Sequence, residues 1–325
     1  MENLLKLLSD REFHSGEEMG EVLGVSRAAI WKKIKGLEGK GLLLESVRGK
    51  GYRLAEGIEL LNEQAIYQAL EKDIQKNIAL HCCLETNSTN DLVRAFAKAA
   101  PGKKLHFCAA EHQTAGRGRR GRKWSTPFGG SICLSLLWQV GDGMASLEGL
   151  SLAVGLAVVK ALESCGAKGL GLKWPNDVLW QRKKLCGILL EVHGDPTGDC
   201  EVTIGIGVNV KLNEQQLACI SQPAIDLNTI CKGHVSRNHV MAQLINTLGH
   251  MLKAYQEGGF SLFHEQWNHY DVFMGQRVTL DAAGRRVDGC SLGVNEQGGL
   301  LLDTDAGVVV FHGGEVSLRP ARGRV

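Results

Sequence analysis

Between Gly116 and Trp124 the chain reads GRGRRGRKW, four arginines and a lysine set among three glycines. Guanidinium groups on so unencumbered a backbone suit anions, because each planar fork can grip a carboxylate or phosphate through two hydrogen bonds. The spacing Gly116-x-Gly118-x-x-Gly121 satisfies the dinucleotide fingerprint, which requires a helix opening at its last glycine. The flanks refuse it. Downstream, KWSTPFGG holds Pro127 and two glycines before SICLSLLW resumes as an apolar β-like run, and upstream LHFCAAEHQ also reads as a strand. Protein kinases place a glycine-rich loop between strands too, but neither H-R-D nor D-F-G follows here, and no G-x-x-x-x-G-K-[ST] occurs. A solvated basic loop, a phosphate clamp and a nucleic-acid patch remain. Glycine interleaving counts against the first, since a merely soluble loop has no need of backbone freedom beside each arginine.

Other polar clusters could serve the same chemistry. TNSTN places Ser88, Thr89 and Asn90 at the opening of a helix, where free backbone N–H groups favour a polar or anionic ligand; one of the three is expected to cap the helix. KWPND sets Lys173, Trp174, Asn176 and Asp177 at a strand end broken by Pro175, and KKLCGILLEVHG carries Lys183 and Lys184 into an apolar strand. Such lysines are ordinarily solvated edge residues. CEVTIGIGVNV reads as that strand's hairpin partner and ends at Asn209. Together these groups suggest phosphate-handling chemistry without a P-loop, with arginines, a strand-borne lysine and an Asp-containing turn around a triphosphate.

The elements that must position them fall into several domains, as 325 residues lead one to expect. Ten scattered cysteines, with no C-x-x-C pair, read as free thiols of a reducing compartment rather than a zinc site or disulfide frame. No signal peptide or membrane span is visible, so a cytoplasmic protein is expected. Overall charge is close to neutral at +2, but residues 1–25 carry six acidic and two basic side chains whereas residues 26–53 carry eight basic and two acidic ones. Ser15 and Glu18 form a capping box for a helix that Gly24 ends, and Ser26 caps a second. Ile30, Ile34 and Leu37 turn that helix inward, leaving Arg27, Trp31, Lys32 and Lys35 outside, as a major-groove recognition helix requires. Two short strands around Arg48-Gly49-Lys50-Gly51 read as a wing. The expectation is a DNA reader over residues 1–60 and a linker helix over 61–77. A mixed α/β domain over 78–270 and a small all-β domain over 271–325 follow.

Taken in order, SRAAIWKKIK with GKGYRL, TNSTN, AEHQTAGRGRRGRKW, KWPNDV, KKLCGILLE and GGEVSLR resemble the bifunctional biotin protein ligases that also repress biotin operons. The resemblance covers the whole chain. It implies an α+β multidomain fold: an N-terminal winged helix-turn-helix, a central mixed β-sheet with helices like class II synthetases, and a C-terminal SH3-like β-barrel. It implies that biotin and ATP, with Mg²⁺, give biotinyl-5′-AMP, and that biotin then passes to one lysine of the biotin carboxyl carrier protein of acetyl-CoA carboxylase. Ser88, Thr89 and Gln113 would hold the ureido ring, with Asn90, Gly187 and Leu189 beside them. Arg117, Gly118 and Arg119 would wrap the carboxylate and phosphates, with Arg120 and Arg122 on the nucleotide side. Trp124, Asn176 and Asn209 would shape the adenine and ribose site, and Arg319 would reach back toward ATP. Lys184, rather than Lys183, would act as electrostatic catalyst. For Asp177 three roles stay open: positioning Lys184, holding Mg²⁺, or deprotonating the acceptor amine. The family also implies a homodimer formed through the edge strand GILLEVHG when adenylate binds, and operator contacts from Ser26, Arg27, Trp31, Lys32, Lys35, Arg48 and Lys50. The rivals are a biotin-sensing repressor without catalysis, which has no need of the arginine loop, and a lipoate ligase, which would not be expected to show GRGRRGRKW or the winged helix.

Overall fold

The computed structural model describes residues 2–8, 10, 12–55, 58–102, 104–140, 147–194, 200–282, 285–312 and 316–320. It opens with helices α1 (Glu2–Leu8), α2 (Gly16–Leu23) and α3 (Arg27–Glu38) and the hairpin β1 (Leu44–Val47) and β2 (Gly51–Leu54). Ser15 Oγ accepts from the Glu18 N–H while the Glu18 carboxylate accepts from the Ser15 N–H, the reciprocal box foreseen. Left-handed Gly24 stops α2, and Ser26 accepts from the Ala29 N–H to start α3. Ile30, Ile34 and Leu37 bury against Leu4, Leu5, Leu8 and Met19. Arg48 to Lys50 form the exposed tip of the hairpin. This is a winged helix-turn-helix.

The stretch expected as one linker helix is two short ones, α4 (Glu63–Gln68) and α5 (Lys72–Asn77). The break is built in by side chains that supply the missing hydrogen bonds. Gln75 Nε2 donates to the Tyr67 and Leu70 carbonyls, and Asn246 Oδ1 accepts from the Glu71 N–H. The break lets Ile66, Leu70 and Ile74 all enter the central core.

That core is built on a seven-stranded sheet. In chain order come β3 (Ile78–Thr86), α6 (Thr89–Ala99), β4 (Leu105–Gln113), β5 (Ser131–Val140), α7 (Leu150–Ser164), β6 (Leu170–Lys173), β7 (Asp177–Trp180), β8 (Lys183–Gly194) and β9 (Cys200–Asn209). Helices α8 (Glu214–Ala218), α9 (Leu227–Cys231), α10 (Arg237–Gly258) and α11 (His264–Tyr270) follow. Across the sheet the order is β3-β4-β5-β9-β8-β7-β6, with β3 and β4 parallel and the other pairs antiparallel. Strand alternation sorts the side chains. Ile132, Leu134 and Leu136 of β5 and Ile204, Ile206 and Val208 of β9 join α7 and α10 in the main core, while Cys108 and Leu137 meet Val93 of α6 on the opposite face.

The last five strands, β10 (Arg277–Ala282), β11 (Arg285–Val294), β12 (Leu300–Thr304), β13 (Gly307–Phe311) and β14 (Val316–Pro320), form a separate antiparallel sheet in the order β13-β12-β11-β10-β14. Trp174 Nε1 donates to the Gly298 carbonyl at 3.0 Å, which anchors the KWPND turn to a loop of this sheet. All ten cysteines are free. Among the described residues no helix is long and apolar enough to cross a membrane.

Candidate active site

On the α6 face, three strands lay out a nearly bare floor. The register aligns Cys133, Gly207 and Gly187 in one row and Ser135, Gly205 and Leu189 in the next. The glycines are there because neighbours come too close for a side chain. A Cβ at Gly205 would lie 2.5 Å from Asn90 Oδ1, and one at Gly207 would lie 2.4 Å from the Trp124 ring.

The opening turn of α6 forms one wall. Ser88 is the N-cap residue, yet its buried hydroxyl makes no capping bond and lines the pocket instead. Thr89 donates from both N–H and hydroxyl to Gln113 Oε1, at 2.8 and 3.0 Å. Ser135 Oγ donates to Asn90 Oδ1 at 2.6 Å, and Asn90 Nδ2 donates to Glu191 Oε2 at 2.9 Å. Sequence reasoning expected one member of TNSTN to cap the helix. Its side chains instead point across the sheet.

GRGRRGRKW closes as a small hairpin, not an open loop. The Trp124 N–H donates to the Gly116 carbonyl, the Gly118 N–H donates to the Arg122 carbonyl, and Arg117 bridges Lys123. A Cβ on Gly116 would lie 2.6 Å from the Trp124 carbonyl oxygen, so the closure depends on glycine there. At the tip, Arg120 and Gly121 both take left-handed backbone angles in a short 3-10 turn. Arg119 is half-buried and donates from Nη1 to Asn176 Oδ1 at 3.1 Å; burial lowers its pKa.

Opposite the hairpin, Lys184 Nζ forms an ion pair with Asp177 Oδ1. Asp177 Oδ1 accepts no directed hydrogen bond, so the contact is charge on charge. A register shift where β8 meets β7 turns Lys184 inward, whereas Lys183 is exposed. Of the two lysines, Lys184 lines the site.

Two cavities meet at this point. The smaller, about 50 Å³, lies on the glycine floor under Trp124. The larger, about 750 Å³, is bounded by Arg120 and Arg122 on the hairpin, the KWPND turn, Asn209 and residues 219–222 and 224. Gln113, Gly118, Arg119, Trp124, Asn176 and Lys184 line both. Asn176 Nδ2 donates to the Ile188 carbonyl and Asn209 Nδ2 to the Ile225 carbonyl, so each amide also fixes the backbone around the cavity. Among the described residues, no three His, Cys, Asp or Glu side chains converge as a metal cage. The acidic residue lining the larger cavity is Asp177, which faces Lys184.

Most sequence-predicted residues therefore come together here. Arg319 lies on β14 opposite Thr279, and its side chain lies outside the described residues. Arg117 is at the pocket, but its hydrogen bonds run to Asp91 and Glu191. Sequence reasoning misses those two carboxylates, as well as Cys133, Ser135 and the rim at 219–224. Glu191 carried a usable signal: Gly187 and Leu189 were expected at the site, and the next residue on the same face of β8 is Glu191. On the winged helix, Arg27, Trp31, Lys32, Arg48 and Lys50 are exposed; Ser26 caps α3 and Lys35 pairs with Glu38.

Comparisons with known proteins agree with this architecture. Residues 82–209 match the Biotin/lipoate A/B protein ligase family, residues 1–53 an HTH domain, and residues 273–319 the Biotin protein ligase C terminal domain. The Bifunctional ligase/repressor BirA of Escherichia coli (strain K12) is 37% identical over 318 residues, covering 98% of this chain and 97% of that one. The chain belongs to this bifunctional ligase/repressor family. The family's Bacillus subtilis (strain 168) member, also a Bifunctional ligase/repressor BirA, is 29% identical over 320 residues, covering 97% of this chain and 98% of that one. Among solved structures, the biotin protein ligase from Aquifex aeolicus in complex with biotin and ATP is similar with a TM-score of 0.63 and 30% identity. It covers 76% of this chain and 100% of that chain.

Proposed function

We propose that this chain is a biotin protein ligase that also represses transcription, and that its two adjoining cavities take biotin and ATP. The carrying observation is the shared lining: Lys184, Arg119 and Trp124 stand where the two cavities meet, which is where a carboxylate and an α-phosphate would have to be brought together. A biotin carboxylate oxygen attacks the α-phosphorus, the bond to pyrophosphate breaks, and biotinyl-5′-AMP forms. Two anions repel as they approach. Lys184, set by Asp177, and Arg119, set by Asn176, together screen that repulsion. In the second step a carrier lysine amine attacks the acyl carbonyl, AMP departs, and the nitrogen loses a proton.

Ser88, Thr89, Asn90 and Gln113 offer the donors and acceptors for the ureido ring over the floor of Gly187, Leu189, Gly205 and Gly207. Mg²⁺ would come with the nucleotide's phosphates, because among the described residues one carboxylate, Asp177, lines that cavity and no cage is present. Beyond Gly187 the pairing of β8 with β7 ends, and after Ile188, which Asn176 bonds, residues 189–194 pair with no strand but β9 among the described residues. That edge is where a second copy, or the carrier domain, would add its own strand. A dimer would carry two winged helices to a palindromic operator.

The test is incubation of the protein with radiolabelled biotin, Mg²⁺-ATP and a biotin carrier domain, followed by a denaturing gel. Label on the carrier is expected; biotin binding without labelled carrier or AMP ester would leave a sensor and reject the ligase. Sedimentation with and without biotinyl-5′-AMP checks the dimer, and an unchanged mass at micromolar protein rejects it.

A further inference from the structure

The arginine hairpin has two attachments. At its tip, Arg119 reaches Asn176. At its stem, Arg117 is clasped by two carboxylates: Nη1 and Nη2 donate to Asp91 Oδ2 and Oδ1 at 2.7 and 2.9 Å, while Nε and Nη2 donate to Glu191 Oε1 and Oε2 at 3.1 and 3.0 Å. Both contacts are bidentate. Two carboxylates thus share one guanidinium, and the Arg94 charge also acts on Asp91. Four of the five N–H donors of the guanidinium are thereby spent on Asp91 and Glu191, which leaves one Nη1 N–H for any other acceptor. Arg117 is chiefly a strut in this arrangement, and the cations that line both cavities are Arg119 and Lys184.

The strut joins separate parts of the site. Asp91 belongs to the opening turn of α6, directly after the residues lining the pocket, and Glu191 lies on β8 two residues beyond Leu189. Glu191 also accepts from Asn90, whose Oδ1 is bonded by Ser135. The floor, the helix wall and the hairpin are thus one hydrogen-bonded unit. The charges are tuned to keep it: the Asp91 carboxyl is held below its usual range by Arg117, and at Glu191 the bonds from Arg117 and Asn90 outweigh burial, which pushes the other way.

We propose that Asp91 and Glu191 are positioning residues that hold Arg117, and through it the whole hairpin, down over the bound adenylate, so that they govern its retention rather than its formation. This rests on the ligase reading. The experiment loads the full-length protein with radiolabelled biotinyl-5′-AMP and follows its release under an unlabelled chase. It compares wild type with Asp91→Asn, Glu191→Gln, the double variant and the conservative Asp91→Glu. Release is expected to quicken about tenfold in each neutralised variant, with a larger effect in the double. Single-turnover adenylate formation at saturating biotin and ATP should change less than about threefold, and Asp91→Glu should restore slow release. Salt should speed release more in wild type than in the double variant, because it screens the clasp that the double variant lacks; a purely structural role would not produce that difference.

Release at the wild-type rate in folded variants overturns the latch. Tighter retention overturns it too, since the carboxylates would then be competing with ligand for Arg117. A wild-type chain that forms no adenylate removes the ligase reading and the latch together, whereas normal formation with unchanged release removes the latch alone.

Discussion

Lys184 Nζ lies 2.7 Å from Asp177 Oδ1 and 5.6 Å from the centre of the Trp124 ring, at the junction of two cavities. Both charged side chains are largely withdrawn from water, at 15% and 13% exposure, so the ammonium acts in a medium that screens it weakly. Lys184→Ala is expected to slow biotin-dependent exchange of pyrophosphate into ATP by about 10²–10³-fold without unfolding the chain. Exchange at the wild-type rate would remove Lys184 from the chemistry. Asp177→Asn, which leaves the ammonium present but unanchored, should cost less.

Arg119 holds the hairpin tip through a charged hydrogen bond to Asn176. Such a bond contributes about 1.5–3 kcal/mol, or roughly 10–100-fold in a rate that requires breaking it. Arg119→Gly should therefore leak biotinyl-5′-AMP by about that factor. The leak would appear as biotin on bystander proteins mixed with the enzyme and ATP. Labelling confined to the carrier would contradict this.

The winged helix was legible residue by residue because its determinants are local. Ser15, Glu18, Gly24 and Ser26 act within a turn of where they stand, and Ile30, Ile34 and Leu37 repeat at helical spacing. The central strands were legible for the same reason. The break between α4 and α5 was not, because Asn246, which helps make it, is far along the chain. Nor were the partners of Arg117. A basic loop announces that it wants anions; whether these come from a ligand or from Asp91 and Glu191 depends on which strands the fold sets side by side. Family resemblance supplied the roles of Ser88, Lys184 and Asn209, which composition alone would have left as a cap, an edge lysine and a strand-end amide.

Trp124 lies across Gly207 and roofs the smaller cavity. Biotin entering over that floor is expected to shift the indole, whose Nε1 is buried without a partner. Trp124→Phe should therefore abolish most of the change in tryptophan fluorescence seen on adding biotin, although five other tryptophans remain. A full-sized change in the variant would show that the ring stays put.

Arg48 and Lys50 stand exposed at the wing tip, and neither takes part in an ion pair there among the described residues. Phosphate contacts release counterions, so Arg48→Ala and Lys50→Ala should each reduce the salt dependence of operator binding by about one counterion while leaving sequence preference intact. Trp31→Ala, on the outer face of α3 at 55% exposure, should alter preference instead. An unchanged salt slope in the wing variants would place the wing away from the duplex.

A titration should reach the same wing. The backbone N–H and carbonyl of His14 pair with Tyr52 on β2, and its ring lies between Asp10 at 2.9 Å and Glu18 at 3.3 Å. Burial opposes the charged imidazole, but bonds to Asp10 and Glu18 prevail, so the pKa rises above its ordinary 6.5. Asp10 shifts down, chiefly through the Glu12 N–H, against a small opposing effect of burial and with help from His14. A raised histidine stabilises fully below pH 6.5 and loses that contribution as pH climbs through its folded value. A lowered aspartate stabilises above 3.8 and loses its contribution as pH falls through the folded one. The winged helix should thus be firmest between about pH 4 and 6.5 and soften above. The protection of the Tyr52 amide against hydrogen exchange, relative to its intrinsic rate at each pH, should fall there in wild type but stay flat in His14→Gln; parallel curves would show that the ring takes no part.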